Sequence, residues 1–176
     1  TGSSGQILLQ TGNSQAGNAG DILLVAGESS AGLGGSVLIN AGESQTQTGG
    51  HVRVASGGNT AGISGSVSIH TGQPGILDGR SGSLSLETGS ASTGDSGNIQ
   101  VISGESVQGS SGGIVLSVGQ TQEGVGGDIQ MSAGGSSSST GGHVTVISGA
   151  SQAGTSGEIE VKSGDGQSSG DILIGS

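Results

Sequence analysis

GHVRVASGGNTAGISG, Gly50 to Gly65, is one unit of a pattern that runs the length of the chain. A glycine opens it, Val52 and Val54 alternate with His51 and Arg53, and Ser56-Gly57 follows. A polar run then leads through Gly62 to the next opening glycine, Gly65. Opening glycines recur at 5, 20, 35, 50, 65, 82, 97, 112, 127, 142, 157 and 170, with a period of 15 that lengthens to 17 once and shortens to 13 once. A fixed period over so many units predicts an array or solenoid, in which each unit is stable only on its neighbours.

With the opening glycine as position 0, position 2 is aliphatic in every unit, from Ile7 to Ile172. Position 4 is equally apolar, from Leu9 through Met131 to Ile174, and position 3 between them varies from Leu8 to Arg53 and Glu160. Such alternation, rich in Val and Ile, predicts a short half-buried strand. Helix is disfavoured by three or four glycines per unit at roughly 1 kcal/mol each. Position 6 is small or short (Thr11, Ala26, Ala41, Ser56) and continues the inward alternation. Position 7 is glycine from Gly12 to Gly164, which predicts a corner with positive φ or close backbone approach. Through that corner, position 9 (Ser14, Ser29, Ser44) and position 11 (Ala16, Ala31, Ala61) are expected to turn inward as a small-residue wall. The expected fold is all-β: a single-stranded parallel β-solenoid (β-helix) of about twelve 15-residue turns with a flattened, thin core. Stacked strands about 4.8 Å apart would make a rod of roughly 55 Å. It is read as one domain over 1–176, a section of a longer repeat protein or filament. Gln73 to Arg80 carries two extra residues and the only proline, and reads as a bulged corner loop or a partner contact.

Composition narrows the function classes. The chain has 42 glycines, no aromatic residue, no cysteine and a net charge of -10. Glycine does not recur every third residue, which excludes collagen. An acidic chain with three bases, Arg53, Arg80 and Lys162, disfavours nucleic acid and anionic membranes. No apolar run approaches the roughly 18 residues that suggest a membrane span. Glycine strings with no helix behind them are not phosphate loops. His51 and His143 share position 1 six turns apart, and His70 sits at position 5, so no metal or nucleophile triad is expected and the chain is read as no enzyme. Uniformly short turns leave no cleft.

Two surface features are candidate sites. Glu28 and Glu43 occupy position 8 of adjacent turns, and Glu158 and Asp171 occupy position 1 of adjacent turns. Stacked carboxylates repel, and a bridging Ca²⁺ would relieve this, so these four are weak calcium candidates. No other cofactor is expected. Leu8, Leu23 and Leu38 form an outward ladder at position 3, flanked by Val25, a candidate lateral or partner contact.

Coil length and small-residue usage resemble the small 15-residue-per-turn solenoids of insect antifreeze proteins, which present regular outward threonines. Outward position 3 here reads Leu8, Leu23, Leu38, Arg53, Ser68 and so departs from that pattern. Gly124 to Ile129 resembles the calcium-binding nonapeptide repeat of secreted toxins, with a period of 15 instead of nine. The Gly/Ser-rich composition is similar to microalgal and diatom cell-surface repeat proteins. The expectation is a non-enzymatic structural protein, extracellular or at the cell surface: a rod, spacer, filament or adhesive matrix component that self-associates end to end or side by side. The rival readings are binding to ice or another crystalline, mineral or polysaccharide surface, and a calcium-stabilised adhesin.

Overall fold

The structure, a computed structural model, describes residues 2–75 and 79–175. Ile76, Leu77 and Asp78 of the predicted bulged loop lie outside the described residues. The chain divides into two units, Thr1–Leu86 and Glu87–Ser176.

The β-solenoid is not what the chain forms. Among the described residues there is no helix and no strand, so neither an all-β class nor twelve stacked turns describes it. The thin core is absent too, since none of the described residues is buried. Ile22, at position 2, keeps 53% of its surface in water and Leu24, at position 4, keeps 72%. Positions 9 and 11, expected as the opposing wall, are exposed at Ser14, Ser29, Ala16 and Ala31. The accessible surface is 18012 Å². A folded monomer of this mass would expose about 7,500 Å² and a fully extended chain about 24,000 Å². The physical reason lies in the apolar content. Two aliphatic side chains stabilise a turn by about 3–6 kcal/mol when fully buried. Ordering fifteen residues at about 1–2 kcal/mol each exceeds that, and glycine has the most freedom to lose. A turn this poor in apolar side chains is not held by a core of its own.

The 15-residue period is nevertheless written into the backbone. In unit Thr1–Leu86 the chain bends at 15–17, 30–32, 45–47 and 60–62, each time at positions 10 to 12. In unit Glu87–Ser176 it bends at 92–94, 107–109, 122–124, 137–139, 152–154 and 166–168. Between bends run arms over positions 1 to 5 that form no helix, strand, turn or bend. Alternate residues of an arm share a side, as an extended chain requires. Glu160 and Lys162, at positions 3 and 5, accordingly form an ion pair. Ser68 Oγ and His70 Nδ1, at the same two positions, approach to 3.4 Å. The sequence alternation thus describes the direction of side chains on the arms, and no ladder pairs the arms with one another.

What closes instead is a local loop. The N–H of Gly35 donates to the carbonyl of Gly27 at 2.9 Å, Gly50 to Gly42 at 2.8 Å and Gly65 to Gly57 at 2.9 Å. In the second unit Gly142 donates to Gly134 at 2.9 Å and Gly157 to Gly149 at 2.8 Å. Each bond joins position 7 of one repeat to the opening glycine of the next, so the bend sits inside a ring of backbone.

Candidate functional site

The repeating unit of the surface is this closed loop with an exposed arm on either side, and three positions build it. The first is the opening glycine. A Cβ on Gly35 would lie 3.1 Å from Ala26 Cβ and 3.3 Å from both N and O of Gly27. On Gly50 it would lie 3.2 Å from Ala41 Cβ and from Gly42 N. At these two positions glycine lets the backbone pass closely over position 6 of the preceding repeat, whereas a Cβ on Gly5, Gly112 or Gly170 would meet nothing within 4 Å.

The second is position 6. Thr11, Ala26, Ala41, Ser103, Ser148 and Ser163 are the half-exposed residues among those described, and every other described residue is exposed. The loop closes over Ala26, Ala41, Ser56, Ala133 and Ser148, which are all small. Where position 6 is β-branched the next glycine meets a methyl group: Thr88 Cγ2 lies 3.5 Å from a Cβ on Gly97, and Val118 Cγ1 lies 2.9 Å from one on Gly127. No closing bond forms in those repeats among the described residues. Ser103 is small and its repeat is also open, which nothing in the structure explains.

The third is position 9, which holds the bend. Ser14 Oγ accepts from Gly17 N–H at 3.0 Å, Ser29 Oγ from Gly32 N–H at 2.9 Å, and Ser44 Oγ from Gln47 N–H at 2.9 Å. Asn59 Oδ1 accepts from Ala61 N–H at 2.8 Å. Ser106, Ser136 and Ser151 do the same at 2.9 to 3.1 Å. These are the local side-chain-to-backbone turns that Ser and Asn favour. The expected inward wall is therefore a row of turn-forming side chains facing water. The signal that marks them is the recurrence of Ser or Asn three residues before the bend's last N–H.

Two bends are made differently. Ala91 has no hydroxyl at position 9, and Thr121 Oγ1 donates to the carbonyl of Glu123 at 2.9 Å. In both repeats position 12 is a glycine with positive φ, +99° at Gly94 and +107° at Gly124. The expected positive-φ corner thus exists at position 12 of two repeats, and the expectation for position 7 is corrected. From Gly12 to Gly164, no position-7 glycine has positive φ, and a Cβ there would meet nothing within 4 Å.

The candidate residues are placed as follows. Glu28, Glu43, Glu158 and Asp171 are exposed, and the ladder that would have stacked them in pairs does not form. No group of three or more His, Asp or Glu side chains able to hold a metal occurs among the described residues. Leu8, Leu23 and Leu38 are 73%, 84% and 78% exposed, and Val25 is 75% exposed. In the long repeat, a Cβ on Gly79 would stand 2.5 Å from Pro74 Cβ and 2.7 Å from the carbonyl of Gly75, so the two sides of that loop meet closely at its base. No pocket is present among the described residues, and no helix there is long and apolar enough to cross a membrane.

No family model, no curated protein and no solved structure matches the chain.

Proposed function

We propose that the chain is a non-enzymatic structural component of an extracellular or cell-surface assembly, a spacer or adhesive matrix element made of many short periodic loops. One observation carries this reading: five repeats rebuild the same closed backbone loop while their outward side chains change. The opening glycine, a small position 6 and a hydroxyl or amide at position 9 recur across Gly20 to Gly65. Over the same repeats positions 1 and 3 run from Asp21 and Leu23 to Ser36 and Leu38 and to His51 and Arg53. A site for chemistry demands fixed side chains on a variable frame, and this chain has fixed backbone under variable side chains. Repeats that bury little of their own surface acquire stability from what they stack upon.

Negative-stain electron microscopy of the assembly isolated from its source tests the reading. Filaments or sheets decorated by an antibody to the repeat are expected. Label confined to dispersed single chains would sink it.

A further inference from the structure

We infer that a second copy of this chain docks on the three arms Ile7–Leu9, Ile22–Val25 and Val37–Ile39; the inference rests on the structural reading above and names the surface that reading needs. These arms differ from most others in having no polar residue between positions 2 and 4. Ile114–Leu116 and Ile172–Ile174 share the pattern singly, but only these three arms follow one another in consecutive repeats; in the other repeats position 3 is Arg53, Ser68, Ser85, Gln100, Gln130, Thr145 or Glu160, which gives one apolar and one polar side. A continuous aliphatic run on extended backbone is the pattern of a segment covered on both faces. Within the chain neither face is covered: Leu23 is 84% exposed and Leu38 is 78% exposed. Among the described residues no backbone N–H or C=O of these arms is bonded to another part of the backbone, which leaves open edges able to pair with a further chain.

Area, charge and spacing select the occupant. The three arms hold ten aliphatic side chains. At roughly 60–120 Å² of apolar area each, they supply about 600–1,200 Å² per copy. A stable interface takes about 800 Å² from each partner. The runs themselves carry no charge, and the nearest acids, Asp21 and Glu28, flank them. Two copies can therefore meet apolar to apolar with their like charges outside the contact, where salt screens the repulsion between two chains of net -10. The arms recur every 15 residues in sequence, so a second copy brings three apolar segments of the same length and order to meet them.

Sedimentation velocity of the full chain over a concentration series tests the inference, with Leu8→Thr/Leu23→Thr/Leu38→Thr as the variant. Threonine, branched at Cβ, favours extended backbone and removes the apolar contact. A control carries Ile63→Thr/Val107→Thr/Val125→Thr, side chains that are 93%, 90% and 97% exposed outside the arms. The wild type is expected to associate with rising concentration, and more tightly at higher salt as the acidic charge is screened. The leucine variant should need at least tenfold more protein to associate, and the control should stay within twofold of wild type. Equal effects of both variants, no effect of the leucine variant, or weaker association at higher salt would each overturn the inference. A wild type that stays monomeric but floats with uncharged phosphatidylcholine vesicles would reassign the surface to lipid and overturn it too. Filaments that survive the leucine substitutions would leave the structural reading standing and remove only this docking surface.

Discussion

The repeats from Gly20 to Gly65 and those from Gly82 to Gly127 have the same period and different backbones. In the first set each loop is closed by a glycine-to-glycine hydrogen bond and each bend is held by Ser29, Ser44 or Asn59. In the second set, among the described residues, no loop is closed, and two of the three bends use a left-handed glycine. Position 6 reads Ala26, Ala41 and Ser56 in the first set, and Thr88, Ser103 and Val118 in the second. Position 9 reads Ser29, Ser44 and Asn59 against Ala91, Ser106 and Thr121. Two side chains per repeat thus account for most of the difference. A methyl group at position 6 of two repeats lies against the next glycine, and where position 9 is Ala91, or is Thr121 donating to Glu123, the turn passes to a left-handed glycine at position 12. Periodicity alone does not make repeats equivalent.

The comparison breaks most sharply at Gly94. Its φ of +99° is open to glycine and costs an L-residue about 1–2 kcal/mol. Gly94→Ala should therefore shift the 92–94 bend to another conformation, read as a change in the residue's backbone coupling constants and in the chemical shifts of Thr93 and Asp95. The matching Gly32→Ala, in a bend held by Ser29, should leave its couplings unchanged. Equal responses at both glycines would mean that the two bends are not distinct.

The opening glycine is the next largest effect. Gly50→Ala puts a Cβ 3.2 Å from both Ala41 Cβ and Gly42 N, and the bond from Gly50 to Gly42 must lengthen. An exposed backbone bond contributes about 0.5–1.5 kcal/mol. Up to tenfold faster amide exchange is therefore expected at residue 50, with Gly35 and Gly65 unaffected. Unaltered exchange at residue 50 would show that the loop closes by something other than this bond. The reverse change is expected in the second set. Val118→Ala removes the methyl that stands 2.9 Å from a Cβ on Gly127 and should let Gly127 N–H reach the carbonyl of Gly119. Slower exchange at Gly127, by a few fold, is the readout. No slowing would mean that the side chain at position 6 does not gate closure.

These same residues show what could be read from the chain and what could not. The unit boundaries follow from recurrence, and at Gly35 and Gly50 the structure supplies a cause for glycine at position 0 over a small position 6. Val52 and Val54 alternate with His51 and Arg53, and that alternation predicts an extended arm with two sides. It does not predict what the arm pairs with. Period two fixes the direction of successive side chains. A ladder needs in addition a partner segment and enough apolar area to offset chain entropy. Alternation without a partner segment gives arms and no solenoid. The serines at position 9 are ambiguous in sequence for a related reason, because a short side chain that would fit a thin wall also suits a turn. The acidic pairs Glu28/Glu43 and Glu158/Asp171 were neighbours only in the stacked register, and lost that relation with it.

Position 7 presents the smallest expected effect in the single chain and the sharpest contrast with position 0. Gly42 has no positive φ, and a Cβ there would meet nothing within 4 Å, yet every repeat from Gly12 to Gly164 keeps glycine at this position. Gly42→Ala should be accommodated without strain, and should even narrow the unfolded ensemble by about 0.4–1 kcal/mol. Amide exchange at Gly50 should therefore stay at its wild-type rate or slow slightly, whereas Gly50→Ala accelerates it. A glycine that the isolated chain does not need has two readings. Either glycine is incidental there, or a second backbone comes close to it when copies associate. Gly12→Ala/Gly27→Ala/Gly42→Ala separates them. Association as tight as wild type, with intact loops, makes the glycines incidental. Loops that stay closed while association weakens severalfold would place position 7 against the partner, next to the leucine arms that precede it in each of the three repeats.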